Sequence, residues 1–176
     1  MSLRDVQGIS RVLSISPGEA VAPQQSVLSA WRWLEVMAGV PQIEPSTSEQ
    51  FVPQMVNFEL IGGVNFKKGC YPGQEVVARS QYRGTTKRRA FVLSAETEVL
   101  PGTELFSSTD PGQPAGMVIN AAPFPAGASG HAVLAEVKLQ AVDALQGGAT
   151  LHASTADGTR LALLPQPYPI PRDENA

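Results

Sequence analysis

The two halves of the chain differ in their pattern of apolar and polar residues. In the first half, apolar residues recur at helical spacing over residues 26–37, where Val27, Trp31 and Leu34 share one face of a predicted helix. Trp33 lies two positions from Trp31 and cannot share that face. The pattern therefore predicts that Trp31 packs into the core and that Trp33 lies on the exposed side.

Shorter elements follow the same logic, with glycine and proline marking their ends. A second helix is predicted from residue 72 or 73 to residue 81, and Gly84 is placed to end it. Three extended segments are predicted ahead of this helix: residues 11–15, residues 51–57 and residues 64–66.

From residue 87 onward, short apolar runs alternate with turn signals such as Pro-Gly and Gly-Gly. Such spacing is typical of a small antiparallel barrel or sandwich. After residue 165, prolines alternate with other residues, which favours an extended arm. The predicted strands are residues 89–93, 104–107, 116–120, 131–138, 150–153 and 160–164.

The composition is that of an ordinary folded protein, with 43% apolar residues. The sequence contains one cysteine, which excludes an internal disulfide and fits either a reducing compartment or a reactive thiol. No apolar run approaches the ~20 residues needed to span a bilayer, and the start lacks a signal-peptide pattern. A cytoplasmic protein without a membrane segment is expected.

The net charge of −3 hides a strong local excess of basic residues. Seven of the thirteen lysines and arginines fall within residues 67–89, where Glu75 is the one acid. A positive field on an otherwise acidic chain predicts an anionic ligand there. RNA phosphate is one such anion, and a solvated sheet edge is the alternative reading. The residues concerned are Arg83, Lys87, Arg88 and Arg89.

The segment from Lys67 to Arg79 has the composition of a ligand site. It joins a lysine pair, two glycines flanking the cysteine, and a Gln-Glu pair at the start of the predicted helix. A strand, a glycine turn and a helix N-terminus form an anion site, because the first N–H groups lack partners and the helix dipole is positive there. Gly69 and Gly73 would let the backbone approach a ligand. Neighbouring residues of a strand point to opposite faces, so only one lysine would face a given pocket.

Cys70 precedes the predicted helix, with Lys68 and Arg79 nearby in sequence. Such surroundings favour the thiolate, which could act as a nucleophile, a redox-sensitive group or an iron ligand. The alternative is a small buried residue that fills a turn. No metal site is predicted, because one cysteine and two distant histidines lack the spacing of a ligand set.

The stretch from Lys68 to Glu75 closely resembles the Lys-Gly-Cys-Tyr-x-Gly-Gln-Glu signature of the YgfZ family of folate-binding proteins. That family is related to the T-protein of the glycine cleavage system, an aminomethyltransferase. The resemblance extends over residues 4–168. Relatives have a further stretch before this point that supplies the other part of the folate-binding ring. A truncated chain, or a missing half supplied in trans, is therefore expected.

Pattern and resemblance together predict an α+β fold. A partial T-protein-like folate-binding domain, built from strand–loop–helix elements, is followed by a small antiparallel β-barrel. The expected boundaries are residues 4–86 for the C-terminal half of the folate-binding domain, 87–166 for the barrel, and 167–176 for an extended proline-rich tail. An exposed apolar surface where the missing half should sit would favour self-association.

The resemblance implies a cofactor and a set of residues that line or order its site. The cofactor is tetrahydrofolate or a derivative, with Cys70 as the candidate catalytic residue. T-protein-like relatives often have a glutamate where this chain has Met55, so a pterin contact is either lost or moved to a residue such as Glu59. The implied cofactor-binding residues are Lys68, Gly69, Tyr71, Gly73, Gln74, Glu75, Arg79 and Asn57.

The resemblance implies an accessory protein that binds a reduced folate and acts in iron–sulfur cluster assembly or repair, and thereby in tRNA modification. Its partners would include iron–sulfur client proteins. Three other functions stay open: a folate-dependent aminomethyltransferase-like enzyme, a non-catalytic module that binds tRNA or a client protein, and a redox sensor based on Cys70. The sequence does not decide whether the protein is an enzyme.

Overall fold

The computed structural model describes residues 2–14, 17–18, 22, 24–69, 73–83 and 86–171, with backbone alone at residues 4, 76 and 80–83. The helices are α1 (Gln25–Met37), α2 (Gln74–Arg83) and α3 (Leu139–Gln146), with short 3-10 helices at Pro45–Thr47 and Pro53–Val56. The strands are β1 (Ser2–Val6), β2 (Ile9–Val12), β3 (Arg88–Ala95), β4 (Glu104–Ser107), β5 (Asp110–Pro123), β6 (His131–Lys138), β7 (Leu151–Ala153) and β8 (Arg160–Leu163).

Six of these strands close into an antiparallel barrel in the order β3-β6-β5-β4-β7-β8. Its best-matched pair is β3 with β6, whose partners run without a bulge from Arg88 opposite Lys138 to Ala95 opposite His131. The predicted small antiparallel barrel is thereby confirmed. Closure leaves each of these strands paired on both sides, which removes the exposed edges of an open sheet.

The inside of the barrel is an apolar core. Alternate residues of each strand point inward, so Phe91 and Leu93 of β3 meet Val133 of β6 and Leu105 of β4. Helix α3, which the sequence pattern does not predict, lies between β6 and β7. It adds Val142 and a neighbouring alanine to the same core.

A second apolar core forms on the outer face of the barrel. Trp33 and Val36 of α1 pack against Val92 of β3, Ile119 of β5 and Leu134 of β6. The N-terminal segment and the barrel therefore share one core across the predicted boundary at residues 86 and 87. Val56 of the 3-10 helix at Pro53–Val56 also belongs to this core.

The two tryptophans lie opposite to the sequence expectation. Trp33 is 7% exposed and belongs to the shared core, whereas Trp31 is 36% exposed. The Arg11 guanidinium carbon lies 5.6 Å from the centre of the Trp31 ring. Val27 is also exposed, so α1 turns the stripe containing Trp33 and Val36 toward the barrel. The sequence periodicity of α1 is compatible with burial of either stripe, the one with Val27 and Trp31 or the one with Trp33 and Val36.

Of three other predictions for the N-terminal segment, the strand at residues 11–15 is right only at residues 11–12, which belong to β2, and the other two are wrong. The chain begins with a hairpin of β1 and β2, joined by two residues with positive φ, where only residues 11–15 were expected to be extended. Residues 53–56 form a 3-10 helix rather than a strand, because Pro53 starts it and Asn57 ends it at φ 58°. Residues 64–66 form no strand.

The described part of the proline-rich arm, residues 165–171, contacts both the barrel and the N-terminal segment. The Gln166 side chain exchanges hydrogen bonds of 2.9 and 3.0 Å with the backbone of Val92 in β3. The Tyr168 hydroxyl donates to the Gly39 carbonyl oxygen at 2.8 Å. Gly39 has φ 66°, and a Cβ there would lie 2.7 Å from the Tyr168 hydroxyl. Only glycine satisfies both the turn and this close contact.

Candidate functional site

The two lysines at the start of the candidate site lie in a turn. The Asn65 side-chain oxygen accepts the backbone N–H of Lys67 at 2.9 Å, which is a local Asx-type turn. Lys67 and Lys68 are both exposed. The two lysines therefore do not lie on opposite faces of a strand, in contrast to the sequence prediction. Both charges extend from one turn.

Helix α2 follows this turn after a short interval. Gly73 has φ 80°, and the helix begins at Gln74. Glu75 lies in the first helical turn, where the helix dipole favours a negative charge. Arg79 lies one turn further along, and both charged side chains are exposed. Among the described ion pairs, none joins these two residues, so each charge faces solvent.

Two predicted site residues, Cys70 and Tyr71, lie outside the described residues, as does the predicted helix stop Gly84. Their roles stay predictions. Gly69 is described, and a side chain there would meet no heavy atom within 4 Å in the described part of the chain. The space beside Gly69 is therefore open with respect to the described residues.

Gln54, in the 3-10 helix at Pro53–Val56, connects helix α2 to the rest of the N-terminal segment. The Gln54 side-chain amide donates to the backbone oxygen of Val77 at 2.7 Å. Gln54 is 1% exposed, so this bond is shielded from water. The sequence pattern predicts no role for Gln54. The signal available was its place in the Phe51–Gln54 segment, three residues before Asn57.

Asn57 is a buried support for the same segment. It is 0% exposed, and its side-chain amide donates to the Ala90 carbonyl oxygen of β3 at 2.8 Å. A longer contact of 3.4 Å reaches the Tyr168 hydroxyl. Asn57 thus connects the candidate site to the barrel and to the arm. Its predicted contact with a cofactor stays a prediction.

Arg89 is the main correction to the predicted basic surface. It is 7% exposed, donates to the Gln54 carbonyl oxygen at 3.0 Å and forms an ion pair with Glu59. Arg89 is therefore a buried structural residue and does not face an RNA ligand. Glu59, the residue suggested as a displaced pterin contact, is the partner of this arginine.

The other members of the predicted RNA-binding cluster also differ from one another. Arg88 donates through one nitrogen to both carboxylate oxygens of Glu136, at 2.8 and 2.9 Å. Lys87 is exposed, and the side chain of Arg83 is outside the described atoms. Among the described side chains of residues 67–89, the exposed cations are Lys67, Lys68 and Arg79 in the motif and Lys87 outside it.

Four buried polar atoms in this region lack a hydrogen-bond partner among the described residues. They are Gln54 Oε1, Asn57 Oδ1, Glu59 Oε2 and Arg89 Nε. Three of the four are acceptors. Because folded proteins pair nearly all such groups, this cluster is suited to a partner with N–H or O–H donors. A reduced pterin has N–H donors of this kind, and because each of the four atoms has less than 1 Å² of accessible surface, the ring would reach them only if the covering residues moved.

Metal-binding groups are not concentrated in the described part of the chain. Within it, no three His, Cys, Asp or Glu side chains come close enough to hold a metal ion. His152 contacts the Gly158 carbonyl oxygen and the Thr150 hydroxyl, each at 2.9 Å. These bonds identify it as a structural histidine. Over the same residues, no helix has the length and apolar character needed to cross a membrane.

A cavity of about 300 Å³ lies between α1 and β5, away from the motif. The buried Glu35 pairs there with Arg11 and accepts from the Gln42 side chain at 3.0 Å. Asn120 exchanges two hydrogen bonds with the Gln42 backbone, at 2.7 and 2.6 Å. The polar groups on this wall thus satisfy one another.

Comparison with known proteins supports the resemblance stated from the motif. The chain is 41% identical over 97 residues to the tRNA-modifying protein YgfZ of Klebsiella pneumoniae (strain 342). The aligned stretch is 55% of this chain and 29% of that relative, so the chain spans less than a third of the relative it matches. No family model matches the chain. The resemblance to YgfZ-type proteins is confirmed as a partial match.

Proposed function

We propose that this chain is part of a YgfZ-type protein that binds a reduced folate and acts in tRNA modification. The observation behind the proposal is the 41% identity over 97 residues to a protein named for tRNA modification. The match covers 29% of that relative, so the activity and partners of a whole protein are part of the proposal. The link to iron–sulfur cluster assembly or repair rests on the motif resemblance.

Charge supports a folate site at the motif. A folate has an anionic glutamate tail, and the exposed Lys67 and Lys68 lie in one turn close to the start of α2. A helix N-terminus favours an anion, because its first N–H groups are unpaired. Arg79 adds a further exposed cation on the helix. These groups would hold the carboxylates of the tail.

The buried acceptors support a place for the ring. Gln54 Oε1, Asn57 Oδ1 and Glu59 Oε2 belong to the segment that anchors α2. A reduced pterin presents several N–H donors, which are the groups these acceptors require. When bound, the folate would supply its one-carbon or redox chemistry. The chain's own contribution would be to bind and orient it, with Cys70 as the candidate reactive side chain.

Calorimetric titration with tetrahydrofolate at physiological salt tests the proposal. We expect saturable binding that Lys68→Ala weakens about tenfold, the effect of losing a hydrogen bond to a charged group. Lys87→Ala removes an exposed lysine outside the motif and is the matched control. Absence of binding to the unsubstituted chain, or equal weakening by both variants, would contradict a folate site at the motif.

Affinity measured at several salt concentrations distinguishes folate from nucleic acid as the ligand of the motif cations. Binding of RNA through several phosphates weakens steeply as salt rises, because counterions are released. Binding of one folate should respond far less. The same Lys68→Ala variant should weaken folate binding. It should change the slope of log K for RNA binding against log salt concentration by no more than about one unit, the contribution of one phosphate contact.

A further inference from the structure

A second cavity, of about 260 Å³, lies on the outer face of the barrel beneath the 3-10 helix at Pro53–Val56. One wall is a row across three adjacent strands: Glu104 is opposite Met117, and Met117 is opposite Glu136. Directly opposed residues point to the same face of a sheet. Phe51 and Met55 line the cavity from the N-terminal segment. We call this space the Glu136 cavity.

Glu136 is the unusual member of the row. It is 2% exposed, although acidic side chains are rarely buried to this degree. Burial raises the pKa of Glu136, and this effect outweighs the opposing effects of Arg88 and Lys138. The described neighbours therefore compensate the charge of this carboxylate only in part.

Glu136 has unused capacity to accept hydrogen bonds. An ionised carboxylate accepts about four hydrogen bonds. One Arg88 nitrogen supplies a single contact to each oxygen, at 2.8 and 2.9 Å. Among the described residues that line the cavity, the charged ones are Arg88, Glu104 and Glu136, so their net charge is −1. A cationic group with N–H donors would balance this negative charge and use the remaining acceptor sites of Glu136.

The remaining walls are suited to an alkyl chain. Phe51, Met55 and Met117 are half-buried, and methionine side chains adapt to the shape of an apolar partner. The carboxylates of Glu104 and Glu136 project from strands about 10 Å apart, two strand spacings across the row. A ligand that fits has one or two ammonium groups on a short apolar body.

We propose that the Glu136 cavity binds a small alkylamine in its protonated form, with the ammonium on Glu136 and the alkyl chain against Phe51, Met55 and Met117. The exposed Glu104 stands at the other end of the row, where a second ammonium of a diamine would lie. This site is separate from the motif, because none of the described motif residues lines the cavity. A failed folate titration leaves it unaffected.

Methionine methyl NMR on the 176-residue chain tests the site directly, with n-butylammonium as the probe. Met55 and Met117 line the cavity, whereas Met37 lies in the shared core and reports nonspecific change. We expect saturable shifts of the Met55 and Met117 methyl signals and none of Met37. Butyrate and 1-butanol have the same chain without the positive charge, and we expect neither to saturate. No shift, or equal shifts with 1-butanol, would refute the site.

Two substitutions should change the affinity in opposite directions. Glu136→Gln keeps the shape and removes the charge, and we expect it to weaken butylammonium binding about tenfold or more. Arg88→Gln removes the competing internal cation, and we expect it to tighten binding roughly threefold. Glu104→Gln, at the exposed end, should weaken it less than Glu136→Gln. A purely structural role for Glu136 predicts no tightening in Arg88→Gln, so an unchanged or weakened affinity there contradicts the proposal even if Glu136→Gln fails to fold.

Discussion

The barrel and the motif segment are held in their positions in different ways. Strands β3 and β6 pair over their full length, and their inward residues fill an apolar core. The motif segment, residues 64–83, has no strand at residues 64–66, and its described hydrogen bonds to the rest of the chain include the one from the Gln54 side chain to the Val77 backbone. The barrel is thus a scaffold that depends on many small contacts. The candidate site depends on a few buried polar residues.

Those polar residues all lie where the motif segment meets β3. Gln54 bonds to α2, Asn57 bonds to β3, and Arg89 joins Gln54 to Glu59. Buried polar networks are specific because each member must have its partner. Substitutions in the barrel should therefore change global stability, whereas substitutions at this junction should disturb the site selectively.

The largest expected effect is that of Arg89→Ala, which leaves Glu59 buried without its partner. Removing one member of a buried ion pair costs about 3–5 kcal/mol of unfolding free energy. Urea unfolding followed by circular dichroism measures this loss. Arg160→Ala, at an exposed position in β8, is the control and should change stability by no more than about 0.5 kcal/mol. Equal effects of the two substitutions would mean that the Arg89–Glu59 pair does not support the junction.

Gln54→Ala should have a smaller and more local effect. It removes the 2.7 Å bond to Val77 and leaves a buried carbonyl oxygen without that donor, at a cost of about 1–3 kcal/mol. Because α2 has few other described contacts with the 3-10 helix at Pro53–Val56, we expect the loss to appear as local opening.

Hydrogen exchange resolves that local opening. Amides of α2 should exchange faster in Gln54→Ala, while those of β3 and β6 keep their protection. Gln146→Ala, at the end of α3, is a matched glutamine control that should leave α2 unchanged. Uniform acceleration in all elements would instead show that α2 and the barrel unfold as one unit.

The barrel could be predicted from the sequence because its signals are local. The predicted bounds of β4 and β6, residues 104–107 and 131–138, are those of the structure. Period-two alternation and turn residues between strands act over a few positions. Helix α3 was missed because its eight residues follow β6 directly, without the cap signals that separate a helix from a strand.

The support of the candidate site could not be predicted, because it depends on partners distant in sequence. Arg89 was assigned to an exposed cluster from its charged neighbours, yet Glu59, 30 positions away, pairs with it. Trp33 is buried and Trp31 is exposed, the reverse of the prediction, because α1 has two apolar stripes and only the one with Trp33 packs against the barrel. Helix α2 was predicted to within two residues, but its anchor Gln54 gives no sign of that role in the sequence.

The smallest expected effect on stability is that of Glu136. It tests the difference between the apolar barrel and the polar junction, because it is a buried charge on the barrel itself. Its pKa is raised above the ordinary value of 4.5, mainly by burial and against the influence of Arg88. A carboxyl with a raised folded-state pKa binds more protons when folded than when unfolded. The unfolding free energy therefore falls as pH rises from 4.5 through the raised pKa, with a slope of at most about 1.4 kcal/mol per pH unit.

Glu136→Gln should remove this contribution. Urea unfolding at a series of pH values from 4 upward should show a wild-type curve that declines relative to the variant across that window and runs parallel to it above. Glu104→Gln, on the same face but exposed, should reproduce the wild-type slope. A Glu136→Gln curve parallel to wild type throughout would mean that Arg88 fully compensates the buried charge. The barrel would then tolerate its buried acid as readily as the junction tolerates the Arg89–Glu59 pair.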